Sequence, residues 1–198
     1  MILVIQNGPI PTHIDKYIKQ LIHIVKSYEE NVSLINLNHY AAVVILGGPQ
    51  RISLGIPPEL NDVIGLIDNC AKMDKPLLGI CLGCQLIAYY FGCEIRSSGT
   101  LRVDYLYKNI FRCHYDYIVP NDKITVLEEF EGMPYFINTK KMYGIQYHPD
   151  IPPEFVNKYL DNWEVANIAE KKSDIIDKHN QSLMDYLLNL IYPKITVS

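Results

Sequence analysis

From Pro76 to Cys93, eighteen consecutive residues carry no charge, and no other stretch constrains the fold as strongly. The run approaches the ~20 apolar residues that a helix needs to cross a bilayer. Yet it starts on proline, holds Gly79, Gly83 and Gly92, and carries Gln85 near its middle. Read in pieces, Pro76–Ile80 is a short apolar strand of the kind buried on both faces of a parallel sheet. A glycine turn follows, and Leu82–Phe91 then reads as a buried helix. A strand, a sharp turn and a helix, all apolar, belong to a layered α/β protein rather than to a membrane.

The flanking sequence agrees. Ile2–Gln6 and Ala41–Leu46 are further buried strands, the second ended by Gly47-Gly48-Pro49. Residues 13–27 place Ile14, Tyr17, Ile18, Leu21, Ile22 and Val25 at helical spacing, which predicts a helix. Val32–Leu37 reads as a strand. Pro58–Met73 reads as a helix, with proline at its start. The alternation predicts an α/β fold, an open and mostly parallel sheet flanked by helices. Beyond Gly99 come short strand candidates: Leu101–Tyr107, Asn109–Cys113, Ile124–Glu128, Tyr135–Asn138 and Met142–Tyr147. Turns at Pro120-Asn121-Asp122 and Glu131-Gly132 predict a small antiparallel addition. After Pro152-Pro153, Glu154–Trp163 and Gln181–Ile191 read as helices, while polar residues 164–180 fit either helix or loop. Nothing resembles a linker, so residues 1–198 are read as one domain, with a core of about 1–150 and a helical C-terminal extension over 151–198.

Composition removes several function classes. A 48% hydrophobic and 20% charged chain buries enough apolar surface to fold. Eighteen basic against 22 acidic residues, with no basic cluster, argue against a nucleic-acid partner. The five cysteines Cys70, Cys81, Cys84, Cys93 and Cys113 are an odd number in a chain with a real core, unlike a disulfide scaffold. Met1–Gln6 lacks the basic flank of a signal peptide, so the expectation is a cytoplasmic protein with reduced thiols and no membrane span.

Chemistry concentrates at Gly79-Ile80-Cys81-Leu82-Gly83-Cys84-Gln85. Small residues two before and two after Cys81 let the chain turn sharply and lift the side chain above the sheet, as in a nucleophile elbow. A thiol at a helix N-terminus is favoured as thiolate by the dipole and the free N–H groups. The N–H of Leu82 would point at the same spot and could hold an oxyanion. Alone, Cys-x-Gly is equally a structural cysteine in a turn, and Cys81-x-x-Cys84 has the spacing of a redox pair. A cysteine nucleophile also needs a base. His13, His23, His39 and His179 have no second catalytic feature beside them. His148 does: it follows an apolar strand and precedes Pro149, with Asp150 two residues on to fix its tautomer.

Together, Gly79-x-Cys81-x-Gly83-x-Gln85, the downstream Tyr147-His148-Pro149-Asp150 and the upstream Gly47-Gly48-Pro49 resemble the class I (triad) glutamine amidotransferases. Cys113-His114-Tyr115-Asp116 resembles the Ser-His-Gly-Asp segment of the GMP-synthase branch, and the Pro152-Pro153 to Trp163 segment resembles free-standing members of it. The resemblance implies a flavodoxin-like core. It also implies that Cys81 attacks the glutamine amide, that the N–H groups of Gly48 and Leu82 hold the oxyanion, and that His148, oriented by Asp150, moves the protons. Gln85, Cys113, His114 and Asp116 would bind the substrate, with no metal or organic cofactor. Asp150 stands where the family usually has Glu, Cys113 where it has Ser, and Tyr115 where it has Gly.

Gly47-Gly48-Pro49 lacks the Lys-Ser/Thr of a phosphate-binding loop, and no stretch resembles an ATP-pyrophosphatase. The expectation is therefore a glutaminase that supplies ammonia in trans to an ATP-dependent synthetase subunit. Two alternatives stand beside it: a stand-alone hydrolase of another γ-glutamyl compound, and a degenerate binding protein on the same scaffold.

Overall fold

The computed structural model describes residues 1–9, 12–106, 109–159 and 163–192. Its centre is a seven-stranded sheet. In chain order the strands are β1 (Ile2–Gln6), β2 (Ile22–Lys26), β3 (Ala42–Ile45), β4 (Leu77–Ile80), β7 (Thr125–Phe130), β8 (Met133–Thr139) and β9 (Met142–Ile145), after a separate pair formed by β5 (Glu94–Tyr105) and β6 (Phe111–Val119). The spatial order is β2-β1-β3-β4-β9-β8-β7, with β5–β6 as a two-stranded antiparallel sheet. The five strands from β2 to β9 run parallel, and β8 and β7 complete the sheet antiparallel. Among the described residues, five α-helices accompany it: α1 (Asn61–Lys72), α2 (Leu82–Tyr90), α3 (Pro153–Tyr159), α4 (Trp163–Lys171) and α5 (Ser173–Ile191).

Alternation along the strands builds two cores. Leu3 and Ile5 of β1, with Val43, Ile45 and Leu77, face α1 and α2 through Val63, Leu66, Ile67, Leu86 and Ile87. Ile2 and Val4, with Val44, Leu78 and Ile145, face the other way onto Met184, Leu187, Leu188 and Ile191 of α5. Helix α5 therefore completes one face of the sheet, while Val156 of α3 and Val165 and Ala169 of α4 pack with Phe111 of the β5–β6 hairpin. Leu187 of α5 is fully buried, so Leu187→Ala is expected to destabilise the fold by about 2–5 kcal/mol. Urea unfolding, followed by far-UV circular dichroism, checks this value.

The α1, β4 and α2 expectations agree with the structure to within a few residues at their ends. Two others do not. In place of a helix over 13–27, a 3-10 turn (Ile14–Lys16) leads into strand β2, paired in parallel with β1 from Ile2↔Ile22 to Gln6↔Lys26. The β-branched residues Ile22, Ile24 and Val25 suit a strand, and β1 offers it a free edge. Ile14, Tyr17 and Ile18 are buried as the spacing requires, but Leu21 is 73% exposed. In place of a strand over Val32–Leu37 there are two 3-10 turns, Val32–Leu34 and Leu37–His39. The Asn31 and Asn36 side chains accept from Ser33 N and Asn38 N, both at 3.1 Å, so asparagine capping overrides strand propensity. The long hairpin begins at Glu94 rather than Leu101, and its second strand runs on to Val119. Tyr107, the expected end of its first strand, lies outside the described residues, as do residues 160–162 of the helix expected over Glu154–Trp163.

Candidate active site

Strands β1, β3, β4 and β9 all end toward one edge of the sheet, where sites in open α/β folds lie. β4 passes into α2 through Cys81, whose backbone takes φ 51° and ψ −105°. For a residue with a side chain this is a strained conformation, of the sort that persists at functional turns. The turn is tight enough to require Gly83, where a Cβ would come 2.2 Å from the Ile45 carbonyl oxygen. Cys81 N–H donates to Ile145 O at 2.8 Å and fixes the turn to β9. Leu82 is the first residue of α2, so its N–H has no acceptor within the helix.

His148 follows β9 and is held by its own N–H, which donates to Phe111 O at 2.8 Å. Its Nδ1 lies 3.1 Å from Asp150 Oδ1. A carboxylate only accepts, so Nδ1 carries the proton and Nε2 is left for Cys81. Gly47 closes the third side: a Cβ there would lie 2.9 Å from His148 Cε1 and 3.5 Å from Cys81 Cβ. Gly48 sits against Leu82, since a Cβ on it would come 2.8 Å from Leu82 Cδ2. The Gly47-Gly48 loop is braced from β1, because Asn7 Nδ2 donates to Leu46 O at 2.8 Å and Gln50 Nε2 to Asn7 O at 2.9 Å. Burial opposes a charge on His148, but Cys81 and the Asp150 carboxylate outweigh it and hold its pKa well above the ordinary imidazole value.

These residues open onto a cavity of about 390 Å³, whose wall includes Gly48, Cys81, Leu82, Gln85, Cys113, His114, Asp116, His148 and Asp150. The volume falls in the range of small-ligand sites, roughly 300–1,000 Å³. All the residues expected at the site thus share one cavity, but they are not equally open to it. Cys113 presents its carbonyl oxygen to the Cys81 thiol at 3.7 Å, and burial raises the pKa of its own thiol. Gln85 is buried and donates from Nε2 to Asp116 O at 3.0 Å and Gln146 Oε1 at 3.2 Å. Burial pushes the His114 pKa down to about 4, so the ring is neutral at pH 7. Its Nδ1 bonds Asp116 O at 3.0 Å, and its Nε2 accepts from Tyr135 OH at 2.9 Å. Tyr135 OH in turn accepts from Arg112 Nη1 at 2.8 Å. Gln85 and His114 both converge on the Asp116 carbonyl and hold that end of the wall in place.

Sequence reasoning passed over Arg51 and Ser53, which bind the Asp116 carboxylate from the loop after β3. The signal was there: Arg51 stands two residues after Pro49. Cys84 faces away from the cavity. It is fully buried, its pKa raised well above that of an ordinary thiol by burial, and its sulfur lies below β9, 2.7 Å from where a Cβ on Gly144 would be. A redox pair with Cys81 finds no support in that arrangement. Among the described residues no three His, Cys, Asp or Glu side chains cluster as a metal site, and no helix is long and apolar enough to cross a membrane.

The family model for glutamine amidotransferase class-I matches residues 10–165. A glutamine amidotransferase-like protein of Acanthamoeba polyphaga mimivirus is 46% identical over 198 residues, covering 96% of this chain and 97% of that protein. The glutamine-hydrolyzing GMP synthase of Petrotoga mobilis is 30% identical over 188 residues, covering 84% of this chain but 34% of the synthase. The chain therefore spans about a third of the length of that relative. Among solved structures, a glutamine amidotransferase of Thermotoga maritima superposes with a TM-score of 0.75 at 20% identity, over 96% of this chain and 97% of that one. At that identity the likeness speaks for the fold.

Proposed function

Since the chain belongs to the class-I glutamine amidotransferase family, we propose that it hydrolyses the side-chain amide of glutamine through a γ-glutamyl thioester on Cys81. The observation that carries this reading is the meeting of Cys81, in its strained elbow, with the His148–Asp150 pair at one cavity. Cys81 and His148 share one mobile proton; with it on His148, whose pKa is raised, the sulfur attacks the amide carbon. The oxygen takes up negative charge against the N–H groups of Gly48 and Leu82. As the carbon–nitrogen bond breaks, His148 returns the proton to the leaving nitrogen and ammonia departs. His148 then takes a proton from water, whose oxygen attacks the thioester. The carbon–sulfur bond breaks, glutamate leaves, and His148 reprotonates the sulfur.

The ammonia acceptor proposed is an ATP-dependent synthetase on a separate polypeptide, of the GMP-synthase type. Its support is the similarity to about a third of the length of a glutamine-hydrolyzing GMP synthase. Steady-state ammonia release by the isolated chain, with and without such a synthetase and its substrates, tests this. The expected result is slow glutamine turnover that the partner stimulates. Fast, unstimulated turnover of another γ-glutamyl compound, with glutamine much poorer, would replace it with the stand-alone hydrolase. That second reading draws on Tyr115, a large ring on the cavity wall.

Acylation as written needs the His148 proton, so the rate falls as that proton is lost with rising pH. Because the His148 pKa is raised, the alkaline limb of kcat/KM is expected above the ordinary ~6.5 of imidazole. Asp150→Asn removes one of the two groups that raise it. The limb then moves to lower pH, and the rate at pH 7 drops by roughly 10²–10⁴-fold. Paired pH–rate profiles check both statements, and a limb that stays in place in Asp150→Asn takes Asp150 out of the mechanism.

A further inference from the structure

Among the described residues, Arg51 is the one permanent cation on the wall of the cavity that holds Cys81 and His148. Its side chain is 31% exposed, so a bound molecule can reach it. The guanidinium is already held in place. Its Cζ stands 4.4 Å from the centre of the Tyr115 ring, and Nη2 donates to Ser97 Oγ at 2.7 Å. Nε and Nη2 also approach Asp116 Oδ1, but at 3.4 and 3.3 Å. These are long for charge-assisted contacts, which run to about 2.7–2.9 Å. Asp116 does not depend on them, because Ser53 N donates to Oδ2 at 2.9 Å and Ser53 Oγ to Oδ1 at 2.7 Å. Nη1 makes no hydrogen bond to any described residue. The result is a braced guanidinium with one unused nitrogen and two weak contacts that a better acceptor can take over.

The charge of a γ-glutamyl substrate sits at the end remote from the amide that reacts. The acids on the wall, Asp116 and Asp150, repel a free carboxylate there. A planar guanidinium matches a carboxylate with two parallel N–H···O bonds, a fit that an ammonium or a single hydroxyl does not offer. We propose that Arg51, braced by Tyr115, is the carboxylate subsite of this cavity and takes the α-carboxylate of the γ-glutamyl group. The assignment rests on the amide-hydrolysis reading. It gives a role to the large residue at position 115, whose ring is the platform on which the arginine is set.

The test compares binding of L-glutamine with that of its α-carboxamide, L-glutaminamide, to the Cys81→Ala protein by isothermal titration. The two ligands share the reacting amide and differ in the carboxylate. The parent protein is expected to bind glutamine about 10- to 100-fold more tightly, the range for hydrogen bonds to a charged group. Adding Arg51→Gln should weaken glutamine by that factor, shift glutaminamide by less than about threefold, and bring the ratio toward one. Arg51→Lys keeps the charge without the fork and should retain part of the preference. Equal affinities in the parent, a preference that survives Arg51→Gln, an equal weakening of both ligands, or binding of neither would each overturn the proposal. An equal weakening is also what a purely structural arginine predicts. If the preference behaves as expected while the wild-type chain releases no ammonia from glutamine or other γ-glutamyl compounds, the hydrolysis reading fails and the subsite stands.

Discussion

Cys81→Ala is expected to abolish amide hydrolysis while leaving the protein folded. The loss should be on the order of 10⁴–10⁶-fold, as for removal of the nucleophile in other triad enzymes. The backbone at this position already carries a Cβ at φ 51°, so alanine introduces no new strain. The Cys81 N–H to Ile145 O bond that fixes the turn involves main chain only. A thermal melt should therefore match that of the wild type, and the missing rate reports on chemistry. Cys84→Ala serves as the control. Its sulfur packs below β9 rather than in the cavity, so most activity per folded molecule should survive. Turnover that persists in Cys81→Ala, or vanishes in Cys84→Ala with the fold intact, contradicts the assignment of the elbow.

His148→Ala should approach the same loss. The ring serves both half-reactions, giving a proton to ammonia and taking one from water. Of the other histidines on the cavity wall, His13 stacks on Phe155 with ring centroids 3.4 Å apart. His114 also lines the cavity, but it is neutral with both ring nitrogens bonded. Because Cys81 and His148 act as one unit, the double variant should be no slower than either single one. Additive losses, measured as single-turnover rates on the three proteins, would mean that the two residues work in separate steps or at separate sites.

Much of this arrangement can be read in the chain alone. The elbow is legible because its demands are local: an apolar strand, small residues on either side of Cys81, and a helix beginning at Leu82. His148 and Asp150 are legible because one short loop carries both. What is not legible depends on pairing at a distance. Ile22–Lys26 has helical spacing, yet becomes an edge strand because β1 lies alongside it. The Val32–Leu37 stretch has the composition of a strand, yet two asparagine side chains turn it. Gln85 and His114 sit where motif reasoning places them, but the Gln85 bond to the Asp116 carbonyl crosses from α2 to β6 and emerges only when the hairpin folds over the site. Arg51 is hidden for the same reason. Its partners, Ser97, Tyr115 and Asp116, come from the two strands of that hairpin.

The proposed reaction passes through a covalent γ-glutamyl group on Cys81. The most direct measurement is acid quenching of the protein during turnover of L-glutamine, followed by mass spectrometry of its peptides. A γ-glutamyl adduct is expected on the peptide carrying Cys81. It should disappear in Cys81→Ala and build up in mildly acidic buffer, which keeps His148 protonated and unable to take a proton from water. Ammonia release with no adduct at Cys81, or an adduct that maps to Cys84 or Cys113, would contradict it.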